Sequence, residues 1–287
     1  MYSPRTRAVA GLVMRLLLGV VFILSACAKL WSVDQFELYI YSYGFFSLDL
    51  SMSAARLCIG VELALGILLM TGWWRRATLT ATALLLLLFS LFLGYAALAG
   101  RNDSCQCFGQ LADMPPAVSL LKNAVLLSVT LLCTRLSAPG RRRRWHTWAV
   151  AATTAVALAV PFVVSVPDNW MFGASEERYD AEALDALVDG PLADKEIRTG
   201  NKVVAFVTPG CPYCRAARQK LDYIARRNKL SDDNIIYIEP NDIGTSEFLR
   251  VTYGATPLLL LTEEGSVCAT FHYRNIDERR IVRALVR

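Results

Sequence analysis

The sequence predicts a bundle of five membrane-spanning α-helices followed by a soluble α/β domain. The chain has 287 residues, of which 54% are hydrophobic, and its mean hydropathy of +0.37 is too high for an ordinary soluble protein. The apolar residues are concentrated in residues 8–166, whereas residues 167–287 carry the interspersed charges, glycines and prolines of a soluble domain. This length accommodates two domains, so we place their boundary near residue 167.

Five apolar runs are each close to the roughly 20 residues that a helix needs to cross a bilayer. They are Val9–Trp31, Ser53–Trp74, Thr78–Ala99, Pro116–Leu136 and Trp145–Val166. An alternative for the first run is a cleaved lipoprotein signal, because "LSAC" at residues 24–27 has the form of a cleavage box. Arg15, in the middle of this run, argues against cleavage.

Arginine placement predicts the orientation of these helices, because cytoplasmic loops are enriched in Lys and Arg. Arginines precede the first run and lie between the second and third and between the fourth and fifth. They are Arg5, Arg7, Arg75, Arg76 and the run 141–144. The opposite loops, 32–52 and 100–115, have few basic residues. We therefore expect a cytoplasmic (inner) membrane protein with its N-terminus inside and its soluble domain on the periplasmic or extracellular side.

The four consecutive arginines at 141–144 have two possible interpretations. Such a run is found in nucleic-acid-binding proteins, but its position between two apolar segments favours a cytoplasmic loop. Anionic lipid headgroups would then be its neighbours. We accordingly expect membrane lipids, and no nucleic acid, among the partners.

A C-x-C pair, Cys105 and Cys107, follows the third apolar run and falls on the outer side. Disulfides form and persist in that compartment. A disulfide between residues two apart closes almost no loop, so a purely structural role is unattractive, and a metal site would need more ligands than this loop offers. A small, strained disulfide is typical of an exchanging, catalytic pair.

A C-x-x-C pair, Cys211 and Cys214, stands at the start of a predicted helix, directly after the apolar strand 202–207. A thiolate at a helix N-terminus is stabilised by unpaired backbone N–H groups and by the helix dipole, which predicts a reactive Cys211 and a resolving Cys214. A zinc site would need two more ligands, and the chain has only two histidines, His146 and His272. We therefore expect redox chemistry and no metal.

The order of predicted elements in the soluble half is strand, C-x-x-C helix, strand, helix, Thr-Pro strand, strand and helix, and over about residues 180–287 it resembles the thioredoxin fold. That resemblance implies a cis-proline facing the two cysteines, and Pro257 matches its position. Ala205 stands where many thioredoxins have a buried acidic residue, which is a departure from the family. We expect Cys268, on the fourth strand, to fill the core.

The membrane half resembles the DoxX/MauE group of redox-associated membrane proteins over about residues 8–136. The similar stretches are "SACAKLW", "GVELALGILLMTGWWRR" and "CQCFG". The resemblance implies a four-helix domain with membrane thiol chemistry, linked in some members to quinone and in others to disulfide formation in a partner. The predicted division is a DoxX/MauE-like domain at 1–140, a fifth tethering helix at 141–166, a linker at 167–195 and a thioredoxin-like domain at 196–287, with an alternative start near 180.

Ionisable residues inside membrane helices are unfavourable and usually functional. Glu62 lies near the middle of its helix, and Lys29, Arg56 and Lys122 lie nearer the outer side. We predict a quinone held near Lys29, Glu62 and Arg56. The simpler alternative is snorkelling of the long side chains plus one ion pair, of Glu62 with Lys29 or Arg56. The remaining membrane cysteines are expected to pack as apolar side chains: Cys27, Cys58 and Cys133.

These features together predict a membrane thiol–disulfide oxidoreductase. Electrons from exported protein thiols, or from a soluble thiol oxidoreductase, would pass through Cys211 and Cys214 to Cys105 and Cys107, and then to a quinone. One alternative is a reductase that delivers electrons outward. Another is a non-enzymatic assembly factor for one partner protein, which would function without these cysteines.

Overall fold

The computed structural model describes residues 4–98, 116–136, 144–171 and 177–286. The chain divides into two compact units. Unit 1 comprises Met1–Tyr43 and Leu50–Val166, and unit 2 comprises Gly44–Asp49 and Pro167–Arg287.

Unit 1 is built from helices, five of which are long and apolar enough to cross a membrane. Its helices are α1 (Pro4–Trp31), α2 (Val33–Ser42), α3 (Leu48–Thr71), α4 (Arg75–Leu98), α5 (Pro116–Leu136) and α6 (Arg144–Val164). All except α2 correspond to the five predicted apolar runs. The chain is thus a multi-pass membrane protein by the length and composition of its helices.

Helix α2 differs from the sequence prediction, which assigned residues 32–52 to a loop. Its ten residues are too few and too polar to span a bilayer, but most of them are buried. Phe36 and Tyr39 belong to an apolar cluster that also includes Ala26 of α1 and Ile59 of α3. Burial against the long helices therefore stabilises α2. Its hydropathy alone did not predict a helix here.

Helix α3 is in close contact with two neighbouring helices, because two of its glycines leave room for them. A Cβ atom added at Gly66 would lie 2.7 Å from Ile23 Cγ1 and 3.2 Å from the Gly19 carbonyl oxygen on α1. One added at Gly60 would lie 2.9 Å from the Leu158 Cα atom on α6. In lipid the hydrophobic effect does not drive helices together. Small residues at helix crossings favour association instead, because they permit tight van der Waals packing.

Unit 2 contains a four-stranded sheet with the spatial order β2-β1-β3-β4. The strands are β1 (Lys202–Phe206), β2 (Ile235–Ile238), β3 (Leu258–Glu263) and β4 (Ser266–Phe271). Strands β1 and β2 are parallel, whereas β1–β3 and β3–β4 are antiparallel. A parallel pair needs a crossover connection, which here is the C-x-x-C helix.

The structure describes six α-helices in unit 2, of which the third, the fifth and the last were predicted, in this order. The six are α7 (Asp168–Met171), α8 (Ala181–Val188), α9 (Pro212–Asn228), α10 (Pro240–Ile243), α11 (Thr245–Thr252) and α12 (Glu278–Leu285). Apolar residues of β1, β3 and α11 share one core, in which Val204, Phe206, Phe248 and Leu260 are at most 2% exposed.

Part of the segment 167–195, for which we predicted a linker, is folded into unit 2. Helix α8 contributes Leu184 and Leu187 to the core of the unit, and Leu192 beyond it is completely buried. Asp180 caps the helix, since its side chain accepts a hydrogen bond from the Ala183 N–H. The folded part of unit 2 therefore begins earlier than residue 196.

Candidate functional site

Cys211 and Cys214 occupy the N-terminus of α9 in unit 2. Cys211 is the N-cap residue, and its sulfur accepts a hydrogen bond of 3.2 Å from the Cys214 N–H. Pro212 is the first residue of the helix, a position where its missing N–H costs nothing. Cys211 is half-buried, whereas Cys214 is only 4% exposed. The first thiol can therefore be reached from outside the fold, and the second lies behind it.

The two thiols differ in acidity. Burial acts to raise the pKa of Cys211, but hydrogen bonds from the Cys214 side chain and from the N–H groups of Cys214 and Tyr213 outweigh it, so this pKa is lowered. Burial, reinforced by its hydrogen bond to Cys211, raises the pKa of Cys214. This arrangement makes Cys211 the more acidic thiol of the pair, which loses its proton before Cys214 does.

The loop before β3 faces both sulfurs. The Thr256 side chain lies close enough to Cys211 and Cys214 to lower the pKa of each, and its hydroxyl is 3.4 Å from that of Thr208. The following peptide bond, Thr256–Pro257, is cis. Pro257 is thus held beside the C-x-x-C pair through its neighbour Thr256.

The pocket next to the cysteines holds an ion pair of Arg218 with Glu239, with 3.5 Å between Arg218 Nη2 and Glu239 Oε1. Both side chains are partly exposed. Ala205, the position of the acidic residue that the resemblance would supply, is completely buried in β1 and carries no ionisable group. Glu239 is thus a carboxylate in the same pocket as the cysteines, and the sequence pattern did not single it out.

The C-x-C pair, Cys105 and Cys107, lies outside the described residues. Its role as the partner of Cys211 and Cys214 stays a prediction from the sequence.

Unit 1 contains a buried polar network around Lys29 and Glu62. The Lys29 ammonium group lies 2.8 Å and 2.7 Å from the two carboxylate oxygens of Glu62 and also donates to the Ser25 hydroxyl at 2.8 Å. Lys29 is 2% exposed and Glu62 is 6% exposed. Removing one charge of such a buried ion pair is strongly destabilising, because it leaves the other charge unpaired.

This network borders a small, partly open pocket between α1, α3, α4 and α5. Lys122 and Asn123 of α5 also line it, so two cations and one anion face the same space. The walls are otherwise apolar and include Phe22, Leu86 and Phe89. A pocket with apolar walls and a few convergent polar groups is the usual form of a small-molecule site.

Arg56 is not part of this pocket, which corrects the predicted grouping with Lys29 and Glu62. It forms an ion pair with Glu37 of α2 and donates to the carbonyl oxygens of Met52 and Val166 at 2.8 Å and 3.2 Å. Glu37 was missed because it lies in the segment that we had assigned to a loop. Arg56 therefore has a structural role in holding α2 and the end of α6 against α3.

The other described cysteines show no comparable arrangement. Cys58 packs against the apolar cluster of α1, α2 and α3, and Cys133 is buried with its sulfur 3.4 Å from the Gly11 carbonyl oxygen. Cys27 is exposed on α1, one of the membrane-spanning helices, and its apolar packing stays a prediction. Cys268 is also only half-buried on β4, because the outward side of this strand is not covered.

Comparison with known proteins finds sequence similarity in both parts of the chain. Residues 7–136 match the family of methylamine utilisation protein MauE. The chain is also 25% identical over 265 residues to protein TlpB of Flavobacterium psychrophilum, with 75% of this chain and 72% of that protein aligned. This aligned part is longer than unit 1, so the similarity to TlpB extends into unit 2. No solved structure matches the chain.

These similarities support the MauE part of the resemblance seen in the sequence, and the DoxX part stays a prediction. The relatives and the cysteine site together suggest a thiol–disulfide redox function at a membrane.

Proposed function

We propose that the protein is a membrane thiol–disulfide oxidoreductase that oxidises exported protein thiols and passes their electrons to a membrane quinone. The observation that carries the proposal is the pair at the start of α9, where an accessible thiol of lowered pKa precedes a buried thiol of raised pKa. This difference matches the roles of an attacking and a resolving cysteine.

Unit 2 would be a thioredoxin-like domain. Three features support this: the sheet order β2-β1-β3-β4, the C-x-x-C pair at the N-terminus of the crossover helix, and the placement of Thr256, which precedes the cis peptide bond to Pro257, near the cysteines. Pro257 and Thr256 would then border the segment of substrate that reaches Cys211.

The first exchange starts from the Cys211–Cys214 disulfide. A substrate thiolate attacks the Cys211 sulfur, a substrate–Cys211 disulfide forms, and the Cys211–Cys214 bond breaks with Cys214 leaving as a thiolate that takes up a proton. A second substrate thiolate then attacks the same substrate sulfur and releases Cys211. The substrate has lost two electrons and the pair has gained them.

Reoxidation would run through the C-x-C pair. The Cys211 thiolate attacks a Cys105–Cys107 disulfide, and a mixed disulfide forms as one of these cysteines leaves as a thiolate. Cys214, once deprotonated, attacks Cys211 and restores the first disulfide. The two electrons then reside on the thiols of Cys105 and Cys107.

The pocket beside Lys29 and Glu62 would hold a quinone as the final acceptor. Its apolar walls suit a flat ring, and the charged groups of Lys29, Glu62 and Lys122 border the same space. A bound quinone would take up two electrons and two protons. Lys29 and Glu62 would orient its oxygen atom and hold or deliver a proton there, while the apolar side chains keep bulk water away.

The orientation belongs to the same proposal. The N-terminus and the arginine-rich ends of the helices would face the cytoplasm, and both cysteine pairs would face the periplasmic or extracellular side. Disulfides can persist there, as the proposed cycle requires.

The test traps the redox state of both cysteine pairs in intact cells with a membrane-impermeant thiol reagent, with and without quinone synthesis. We expect both pairs to be mainly oxidised when quinone is present and to accumulate as labelled thiols when it is absent, because the electrons then have no acceptor. Labelling of Cys211 in intact cells would also support the outer location.

Two results would contradict the proposal. Pairs that remain oxidised without quinone would exclude the quinone link. Pairs that are reduced in the presence of quinone and become oxidised only when cytoplasmic reductants are depleted would indicate the outward-delivering reductase instead.

A further inference from the structure

Arg15 of α1 is a buried cation outside the pocket and outside the redox pairs. Its residue is 6% exposed, and its Nη1 atom is buried without a hydrogen-bond partner among the described residues. Arginine stays protonated in proteins, so burial cannot neutralise it. An unpaired buried charge is strongly destabilising, so the folded protein is stabilised by a counter-charge close to this residue.

Gly72, at the end of α3, makes room for the guanidinium group. A Cβ atom at Gly72 would lie only 1.6 Å from Arg15 Nη1 and 2.6 Å from its Cζ atom, so any other residue there would displace Arg15. The φ angle of Gly72 is +72°, which also favours glycine. The Arg15 side chain is thus directed toward the turn that joins α3 to α4.

The N-terminus of α4 adds further positive potential at this place. Arg75 is the first residue of α4 and lies within electrostatic range of Arg15. The first turn of this 24-residue helix contains no acidic residue, so the positive end of the helix dipole is not offset there. Two cations and a helix N-terminus therefore meet at one end of unit 1.

The helices described in unit 1 contain few carboxylates that could balance Arg15. Segments 1–33, 63–102 and 114–167 contain no Asp or Glu, and they include the whole of α1, α4, α5 and α6. Helix α3 contains Asp49 and Glu62, of which Glu62 is bound to Lys29. Lys29 follows Arg15 by 14 residues on α1, a separation of about 21 Å along the helix. Among the described residues, Arg75 and Cys133 act electrostatically on Arg15 and no carboxylate does, so Arg15 is open to a counter-charge from a ligand.

We propose that Arg15, Arg75 and the N-terminus of α4 form a binding site for a phosphate group, supplied by the headgroup of an anionic phospholipid. Phosphate oxygens accept short, charge-assisted hydrogen bonds from arginine and from the N–H groups of a helix N-terminus. Basic sites between membrane helices are suited to anionic headgroups, since the lipid phosphates lie at the level of the helix ends. Free phosphate has the same chemistry, and the experiment separates the two sources.

The experiment measures thermal unfolding of the delipidated full-length protein in an uncharged detergent. Phosphatidylglycerol, a phosphate-free neutral galactolipid and inorganic phosphate are added separately. We expect phosphatidylglycerol to raise the midpoint by about 4 °C, as a ligand well above its dissociation constant does, and the galactolipid to have no effect. Native mass spectrometry should show one more retained phosphatidylglycerol on the wild type than on Arg15→Met.

Arg15→Met should reverse the order of stability. Without lipid the variant should unfold at the same or a higher temperature than the wild type, because an uncompensated buried charge has been removed. With phosphatidylglycerol the wild type should be the more stable. Arg76→Met, which removes an exposed arginine next to Arg75, is the matched control and should keep the lipid response. Gly72→Ala should lose the response by displacing Arg15, which provides a second variant if Arg15→Met folds poorly.

Equal stabilisation of the wild type and Arg15→Met by phosphatidylglycerol would overturn the proposal, as would the absence of stabilisation by either phosphate source. An equal response to inorganic phosphate and to the lipid, lost in Arg15→Met, would support the phosphate site and identify free phosphate as its ligand.

Discussion

Replacing Cys211 with serine is expected to reduce thiol oxidation by the full-length protein roughly a thousandfold or more, to background. The hydroxyl of serine cannot form the mixed disulfide through which the proposed exchange passes. In the wild type, attack by Cys211 requires its thiolate. Below the pKa of Cys211 the exchange rate should therefore fall about tenfold per pH unit, and it should level off above that pKa.

The plateau is expected at a lower pH than for an ordinary cysteine, because the hydrogen bonds to the Cys211 sulfur stabilise the thiolate. Stopped-flow measurement of the rate of reaction with a small disulfide across pH would show where this plateau begins. Cys268→Ser is the matched control, since this thiol lies in the same unit but burial raises its pKa. Undiminished oxidation by Cys211→Ser, or an equal loss in Cys268→Ser, would rule out the assigned role of Cys211.

Changing Glu62 to glutamine should slow reoxidation of the full-length protein by quinone about 100-fold, the usual range for loss of a general acid or base. The substitution removes the carboxylate that holds Lys29 and leaves a buried ammonium group unpaired. Lys29→Met should have a similar effect. Reduction of the protein by a substrate dithiol, measured in the same samples, should be unchanged, because Glu62 and Lys29 belong to unit 1 and Cys211 to unit 2.

Glu37→Gln provides a matched control for the membrane variants. Glu37 and Arg56 form an ion pair as deeply buried as that of Glu62 and Lys29, but neither residue lines the pocket. Breaking this pair should destabilise the protein by about 3–5 kcal/mol and lower its unfolding temperature. Reoxidation per folded molecule should stay normal. Normal reoxidation in both Glu62→Gln and Lys29→Met, or an equal defect in Glu37→Gln, would exclude the pocket as the acceptor site.

The sequence predicted the long elements well, because their signals are local. Each membrane helix is an apolar run of sufficient length, and the strands of unit 2 are short β-branched or leucine-rich segments between turn residues. The position of Cys211 and Cys214 at a helix N-terminus follows from the strand before them and from the apolar spacing behind them.

The short elements α2 and α8 were missed because their stability comes from burial against the rest of their units. Both leave a signal in the sequence: Val33, Phe36 and Ile40 recur at helical spacing, as do Leu184 and Leu187 after the capping residue Asp180. The pairing of Arg56 with Glu37 could not be predicted without α2. The pairing of Lys29 with Glu62 was one of two alternatives, and it depended on how α1 and α3 cross at Gly19 and Gly66.

The central claim is direct exchange between the two cysteine pairs, and mass spectrometry of the Cys214→Ser variant tests it most directly. Without its resolving cysteine, Cys211 should accumulate in a disulfide with Cys105 or Cys107 of the same chain. Such an intramolecular adduct is favoured because both pairs share one chain, which raises their effective concentration. It should disappear on reduction and be absent when Cys211 is also changed to serine. If Cys211 were instead found linked only to unrelated proteins under all growth conditions, electrons would not pass from unit 2 to the C-x-C pair, and the account would be wrong.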